Sequence, residues 1–195
     1  MLLNISKNLG YVRALIGLVF IAAAGLSGIA HGDVGMPDSI QADTETLALN
    51  GQGTRKKAFI SLYDAGLYLS NPSSDANAIV SADSAMAIRL VITSGLINAK
   101  KMKKAMQKGF DQSTGGNTTA ISNEIDQFQN VFIDGVDKQD VFELVYRPGT
   151  GVEVSKNGVQ KNTISGLPFK QALFGIWLSQ DPIQESLKKA LLSAN

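Results

Sequence analysis

Arg55, Phe59, Tyr63 and Leu67 recur every four residues through a stretch rich in β-forming side chains. In one unbroken strand, residues of the same parity share a face, so these four would line one surface. A guanidinium beside a phenol and apolar groups makes a clamp for an anionic head group with a greasy tail. The guanidinium grips a carboxylate through two parallel charged hydrogen bonds, and the phenol adds a third donor. The plainer alternative is a surface arginine at a strand end, with the tyrosines packed in the core. Other chemistry is scarce. The chain has no cysteine, which excludes disulfides, thiolate nucleophiles and cysteine metal sites. Its one histidine, His31, stands near the start, so a histidine-centred triad or zinc site in the main body is not expected.

Several motifs that could carry function read better as structure. Gly51-Gln52-Gly53 lacks the following helix that a phosphate-binding loop needs; a strand follows instead, and the segment reads as a β-turn. Lys100, Lys101, Lys103, Lys104 and Lys108 fall mostly on one helical face, opposite Met102, Ala105, Met106 and Phe110. Without interleaved aromatics, that lysine face reads as a solvated surface and not as a nucleic-acid interface. Asp134, Asp137 and Asp140 do not match the calcium-loop spacing and read as solvated turn residues. Leu173, Ile176 and Trp177 form an apolar helical stripe, by default core and alternatively the wall of a ligand cleft.

The elements that must position Arg55 and Tyr63 follow from periodicity. Of the 195 residues, 44% are hydrophobic and 18% charged, as in a globular protein of one ordinary domain. Lys7 and Arg13 are the only charges before Asp33, and an apolar run from Ala14 to Ala30 ends in small residues. This is the plan of a signal peptide over residues 1–30, a better fit than an uncleaved anchor, and it predicts export to a compartment such as the bacterial periplasm. Of the 18 basic side chains, 16 remain once Lys7 and Arg13 are removed, against 17 acidic ones, so the rest carries a net charge of −1. That balance gives no general argument for nucleic acid or anionic lipid as a partner, and membrane contact is expected only through an uncleaved N-terminal segment.

Residues 31–45 read as a loose lead-in. Strands are predicted at residues 46–49, 58–69, 87–93 and 141–146. A hairpin is predicted around Asn157-Gly158, a strong signal for a tight primed turn. Helices are predicted at about 75–80, at 98–110 with Asn98 as N-cap, through Ile121, Ile125, Phe128 and Phe132, and at 169–179 and 183–192. Hairpins outnumber parallel crossovers, so the fold class is α+β, an antiparallel sheet with helices on one face and a cleft between them.

Read in order, the motifs resemble the chalcone isomerase-like family. Leu49-Asn50-Gly51-Gln52-Gly53-Thr54-Arg55 followed by Ala65-Gly66-Leu67-Tyr68-Leu69 is similar to its opening. Ser73-Ser74-Asp75-Ala76, Ile125-Asp126-Gln127-Phe128, Tyr146-Arg147-Pro148-Gly149-Thr150-Gly151 with Asn157-Gly158, and the segment from Ala172 through Leu192 resemble later parts, those of its bacterial exported branch among them, so the resemblance spans residues 46–193. It implies an open-faced β-sandwich backed by helices. In the enzymes of that family a cleft arginine stabilises a phenolate that closes a ring onto an enone; in its fatty-acid-binding branch the corresponding arginine holds a carboxylate. By motif that residue is Arg55. The chain departs from the enzymes elsewhere. Tyr63 falls where they place a threonine, Met102 and Gly109 where they place a catalytic tyrosine and asparagine, and Lys170 near a small hydroxyl residue. The resemblance therefore implies a binder, without cofactor or catalytic residues, of a small amphipathic anion such as a fatty acid. Arg55 and Tyr63 would hold the head group, and Met102, Met106, Phe128 and Trp177 would form the walls. An isomerase of the intramolecular lyase type using Arg55 and Tyr63, or an envelope protein-interaction domain, are the alternatives.

Overall fold

Tyr63, Ala65, Leu67 and Leu69 alternate along one strand and are all buried, and this period of two commits one face of a sheet to the core. The computed structural model describes residues 35–193. The expected signal segment and His31 lie outside the described residues. Seven strands, β1 (Ser39–Ala42), β2 (Glu45–Lys57), β3 (Ile60–Leu69), β4 (Met86–Ile92), β5 (Val141–Arg147), β6 (Gly151–Lys156) and β7 (Val159–Ile164), form one sheet in sequential order. Every neighbouring pair is antiparallel. Helix α1 (Ala76–Ser81) joins β3 to β4, and α2 (Ala99–Ser113) and α3 (Ser122–Asn130) join β4 to β5. Two helices, α4 (Leu167–Leu178) and α5 (Glu185–Leu191), follow β7. The architecture is the expected α+β one: a curled antiparallel sheet whose inner face is covered by helices.

Local chemistry starts the helices where the sequence places them. Asn98 Oδ1 accepts from the backbone N–H of Lys101 at 3.0 Å, and Asp75 Oδ1 from that of Ala78 at 3.0 Å, each capping a helix N-terminus. Pro168 sits in the first turn of α4, where its missing N–H costs nothing. Helix α4 is apolar nearly all round and, apart from half-buried Gln171, is buried from Phe169 to Leu178 as the central helix of the core. On the outer face of the sheet, Ile40, Ala42, Leu47, Tyr68, Ala87 and Val145 form a second, smaller cluster. The curl brings the β1 edge toward β5, and Arg147 of β5 pairs with Asp43 of the β1–β2 turn at 3.2 Å. The turn at Asn157-Gly158 has φ of 53° and 76°, the left-handed pair that a tight primed hairpin requires.

The structure corrects four sequence expectations. The lead-in carries a real edge strand, β1, because Ile40 and Ala42 have an apolar surface to cover. Gly51-Gln52-Gly53 is no turn: β2 runs straight through it, with a bulge between Leu49 and Gly51. The glycines are there because α5 lies against the strand. A Cβ on Gly51 would overlap the carbonyl of Ala190 and stand 2.7 Å from that of Leu191. Consequently the strand expected from Ala58 to Leu69 begins at Ile60, and the chain reverses at Ala58-Phe59. Finally, Asp140 is not solvated. Its carboxylate is buried, pairs with Lys156 at 2.8 Å, and accepts from Asp137 N–H and Asn157 Nδ2, both at 2.8 Å. Asp134 does sit in an exposed turn, paired with Lys161 at 3.0 Å.

Burial by itself would raise the Asp140 pKa, but the donors from Lys156, Asp137 and Asn157 outweigh it and hold the carboxyl below its ordinary value. A depressed folded-state pKa stabilises the fold fully above the unfolded value, and that contribution is lost as pH falls through the folded value. Asp140→Asn should therefore cost about 3 kcal/mol at neutral pH by leaving Lys156 unpaired. That deficit should shrink as wild type is acidified below the ordinary carboxylate range, which denaturant titrations across pH will show. For the strand–helix contact, Gly51→Ala should destabilise by about 2 kcal/mol through overpacking. Gly95→Ala, where an added Cβ meets nothing within 4 Å, should change stability by less than about 0.5 kcal/mol in the same assay.

Candidate functional site

Arg55 and Tyr63 do share a face, though by another route than the one the sequence suggests. They lie on different strands, β2 and β3, as direct partners in the antiparallel register. Directly opposed residues project to the same side, with Cβ atoms about 5 Å apart. Phe59, expected on that face, stands instead in the hairpin turn, fully exposed, while Leu67 is in the core.

The charges on the three arginines of the described residues are balanced differently. Arg89 pairs with Glu143 at 2.5 Å, its register partner on the next strand, and Arg147 pairs with Glu153 at 2.6 Å. Arg55 has no carboxylate partner among the described residues. Its Nη1 donates to Gln184 Oε1 at 2.9 Å and to the Lys56 carbonyl, both neutral acceptors. Its Nε is buried with no partner among the described residues. Beside it, the Tyr63 hydroxyl accepts a hydrogen bond from Trp177 Nε1 at 3.1 Å. No described residue accepts the Tyr63 proton. Burial pushes the Tyr63 phenol up to about 12, although the Trp177 N–H and the Arg55 charge pull the other way, so it remains a neutral donor at physiological pH. The site thus offers a half-buried positive charge with two unused donors on adjacent side chains. Donors without acceptors, next to an unbalanced cation, suit the oxygens of an anion.

Gln184 is the site residue that sequence reasoning missed. It precedes α5, and its side chain is shared between three strand residues and its own helix. Oε1 accepts from Arg55 Nη1 and from the backbone N–H of Lys56 at 2.8 Å; Nε2 donates to the Thr54 carbonyl at 3.2 Å and to Ser186 Oγ at 2.8 Å. Its position just after Asp181-Pro182, ahead of a helix, is the one local signal. No pattern links it to a residue 129 positions earlier.

The other expected wall residues lie deeper. Met102 and Met106 on α2, Phe128 on α3 and Trp177 on α4 are all fully or nearly fully buried in the main core. Phe128 meets Phe110 edge-on at 5.9 Å and Phe132 at 5.4 Å, and lies 6.1 Å from Phe169. Two open depressions, of about 510 and 480 Å³, lie away from Arg55, one between α1 and α4 and one on the lysine face of α2. Between sheet and helices the buried side chains form one continuous core. Gly109 and Lys170, expected from the sequence to stand where the enzymes keep polar residues, both serve packing and capping in this chain. A Cβ on Gly109 would stand 2.7 Å from Ile176 Cγ2, so Ile176 fills the space an asparagine would need. Lys170, fully buried, donates to the carbonyls of Ile79, Val80 and Ala82 at 2.8–2.9 Å and so caps the C-terminus of α1. Burial lowers its ammonium to about 8, against the pull of Asp83.

Comparison with known proteins bears on the fold and the family. No curated protein sequence matches the chain. Among solved structures it is similar to a fatty-acid binding protein of Arabidopsis thaliana, with a TM-score of 0.64 and 18% sequence identity over 81% of this chain and 91% of that one. At that identity the likeness establishes the fold. The family model described as chalcone isomerase-like matches residues 29–193, and the chain belongs to the chalcone isomerase-like family.

Proposed function

We propose that this domain is a non-catalytic binder of a small amphipathic carboxylate, a fatty acid being the simplest case. The observation that carries the reading is the unbalanced Arg55, whose free Nε–H lies beside the spare hydroxyl proton of Tyr63. A carboxylate would accept from both and neutralise the guanidinium, replacing the neutral oxygen of Gln184. The fatty-acid binding protein of similar fold supports the ligand class. The filling of the Gly109 space by Ile176 and the capping role of Lys170 support binding over ring closure, because neither position offers a polar group to a developing enolate.

The acyl tail would enter where Met102, Met106, Phe128 and Trp177 now pack, so binding needs an opening of the helical layer. The short α5 is the element to move. It spans seven residues, and its opening must break the bonds of Gln184, of Lys188 Nζ to the Ser179 carbonyl at 2.8 Å and of Asn50 Nδ2 to the Leu191 carbonyl at 2.9 Å, and uncover Leu187 and Leu191. A closed resting state lowers the apparent affinity by the fraction of open molecules. The apolar run at residues 14–30 supports work in an exported compartment, as N-terminal sequencing of the mature protein from its host will test.

Calorimetric titration with laurate tests the site. Arg55→Ala should weaken binding roughly 10- to 100-fold, the loss expected for a charge-assisted hydrogen-bond pair, while circular dichroism stays native. Tyr63→Phe should weaken it roughly fivefold. Equal laurate affinity in wild type and Arg55→Ala would remove Arg55 as the head-group residue, and turnover of a chalcone lost in Arg55→Ala would replace the binder with the isomerase.

A further inference from the structure

Five large apolar side chains are notably exposed among the described residues: Phe59, Ile60, Leu96, Ile133 and Val159. Phe59, Leu96 and Ile133 lie in connections, and Ile60 and Val159 open β3 and β7, all at the end of the sheet where β2, β4 and β6 finish and β3, β5 and β7 begin. Phe59 and Ile60 form the tip of the β2–β3 hairpin, with relative exposures of 103% and 45%; Leu96, at 54%, lies in the loop from β4 to α2. That loop is fastened to the hairpin, since the backbone N–H groups of Thr93 and Ser94 both donate to the Leu62 carbonyl at 3.0 and 3.2 Å.

Basic residues frame this tip. Lys56 and Lys57 precede the turn and are exposed, as are Lys100 and Lys101 at the start of α2. Lys101 Nζ donates to the Leu96 carbonyl at 2.7 Å, which sets an ammonium beside that leucine. Of the acids at this end, Asp134 and Asp140 are paired with Lys161 and Lys156. Asp137 and Glu185 are exposed at the rim. The opposite end carries the exposed acids Glu45, Asp75 and Asp83, while Asp43 there is paired with Arg147. A chain that is nearly neutral in sum is therefore polarised along its strands.

The turn itself is built against local preference. Ala58 sits at φ 52°, where an alanine costs roughly 1 kcal/mol more than glycine. At another two-residue hairpin the same sheet uses Asn157-Gly158, residue types that take the left-handed region readily. A fully exposed phenylalanine next to a strained alanine serves something other than folding.

We infer that this end of the sheet is a docking surface for an anionic lipid bilayer, with Phe59, Ile60 and Leu96 entering the interfacial layer and Lys56, Lys57, Lys100 and Lys101 meeting the acidic head groups. An apolar tip with a basic collar matches such a leaflet in both chemistry and charge. The surface is continuous with the candidate site, because Arg55 directly precedes Lys56 and Gln184 binds both. The inference goes beyond the ligand reading, and a domain that docks with an empty core still satisfies it.

The test uses the full-length chain carrying Phe59→Trp. The native Trp177 is fully buried and gives a constant background. Phosphatidylcholine vesicles with brominated acyl chains, with and without phosphatidylglycerol, serve as probes. The new indole should shift to the blue and be quenched on the phosphatidylglycerol vesicles only, and the effect should fade as salt screens the charges. Adding Lys56→Ala and Lys57→Ala should weaken partitioning roughly twenty-five-fold, about fivefold per lysine. The inference is overturned if the chain does not bind vesicles. It is equally overturned if the chain sediments with them while the new indole stays unquenched, because another segment then makes the contact. Equal quenching on phosphatidylcholine alone would also overturn it, since charge would play no part.

Discussion

The close seating of α5 on β2 is the contact on which the rest of this site depends. A strand normally projects a side chain at every second residue toward whatever covers it. Here Gly51 and Gly53 leave that row empty, and the helix backbone at Ala190 and Leu191 takes the space. Asn50, buried at the bulge, fixes the arrangement by donating to the carbonyls of Leu191 and Ser73 at 2.9 and 3.0 Å and accepting from Ser73 N–H at 2.8 Å. One amide thus ties the end of the chain and the β3–α1 loop to the middle of β2, with every one of its bonds satisfied in the interior. Leu187 and Leu191 then reach the main core, and Gln184 arrives at Arg55.

The arginines show how differently one sheet can treat the same side chain. Arg89 and Arg147 are matched with carboxylates on the neighbouring strand, an arrangement that adds little stability beyond cancelling its own desolvation. Arg55 is left with neutral acceptors, at the place where strand, hairpin and terminal helix meet. An unbalanced charge there is the feature on which the proposed anion site rests. The buried Asp140–Lys156–Asn157 network and the Lys170 cap are the contrasting case, polar groups whose bonds are all spent on holding loops.

The cleft expected between sheet and helices is occupied here by the chain's own side chains. Ile176 occupies the space opened by Gly109, and Phe110, Phe128 and Phe169 pack against one another. A filled core exchanges capacity for stability, and any ligand must recover by its own burial what the parted aromatic contacts lose.

Much of this was legible in the sequence. Helix positions, the Asn98 cap, the Asn157-Gly158 hairpin and the antiparallel α+β class follow from periodicity and turn chemistry, because those signals act over a few residues. The ordered motifs from Leu49 to Leu192 identified the family and pointed to Arg55. What the sequence could not decide was whatever joins distant parts. Gly51-Gln52-Gly53 has the composition of a turn, and only the presence of α5, more than 130 residues away, makes it a strand. Arg55 and Tyr63 face each other through a hairpin register and not through parity along one strand. Asp140 looks like a loop residue until Lys156 and Asn157 fold over it. The choice of Gln184 as the partner of Arg55, and the gathering of Phe59, Ile60 and Leu96 at one end, likewise belong to the tertiary fold. Local propensity is set by neighbours in the chain, but register, close approach and the pairing of charges are set by neighbours in space.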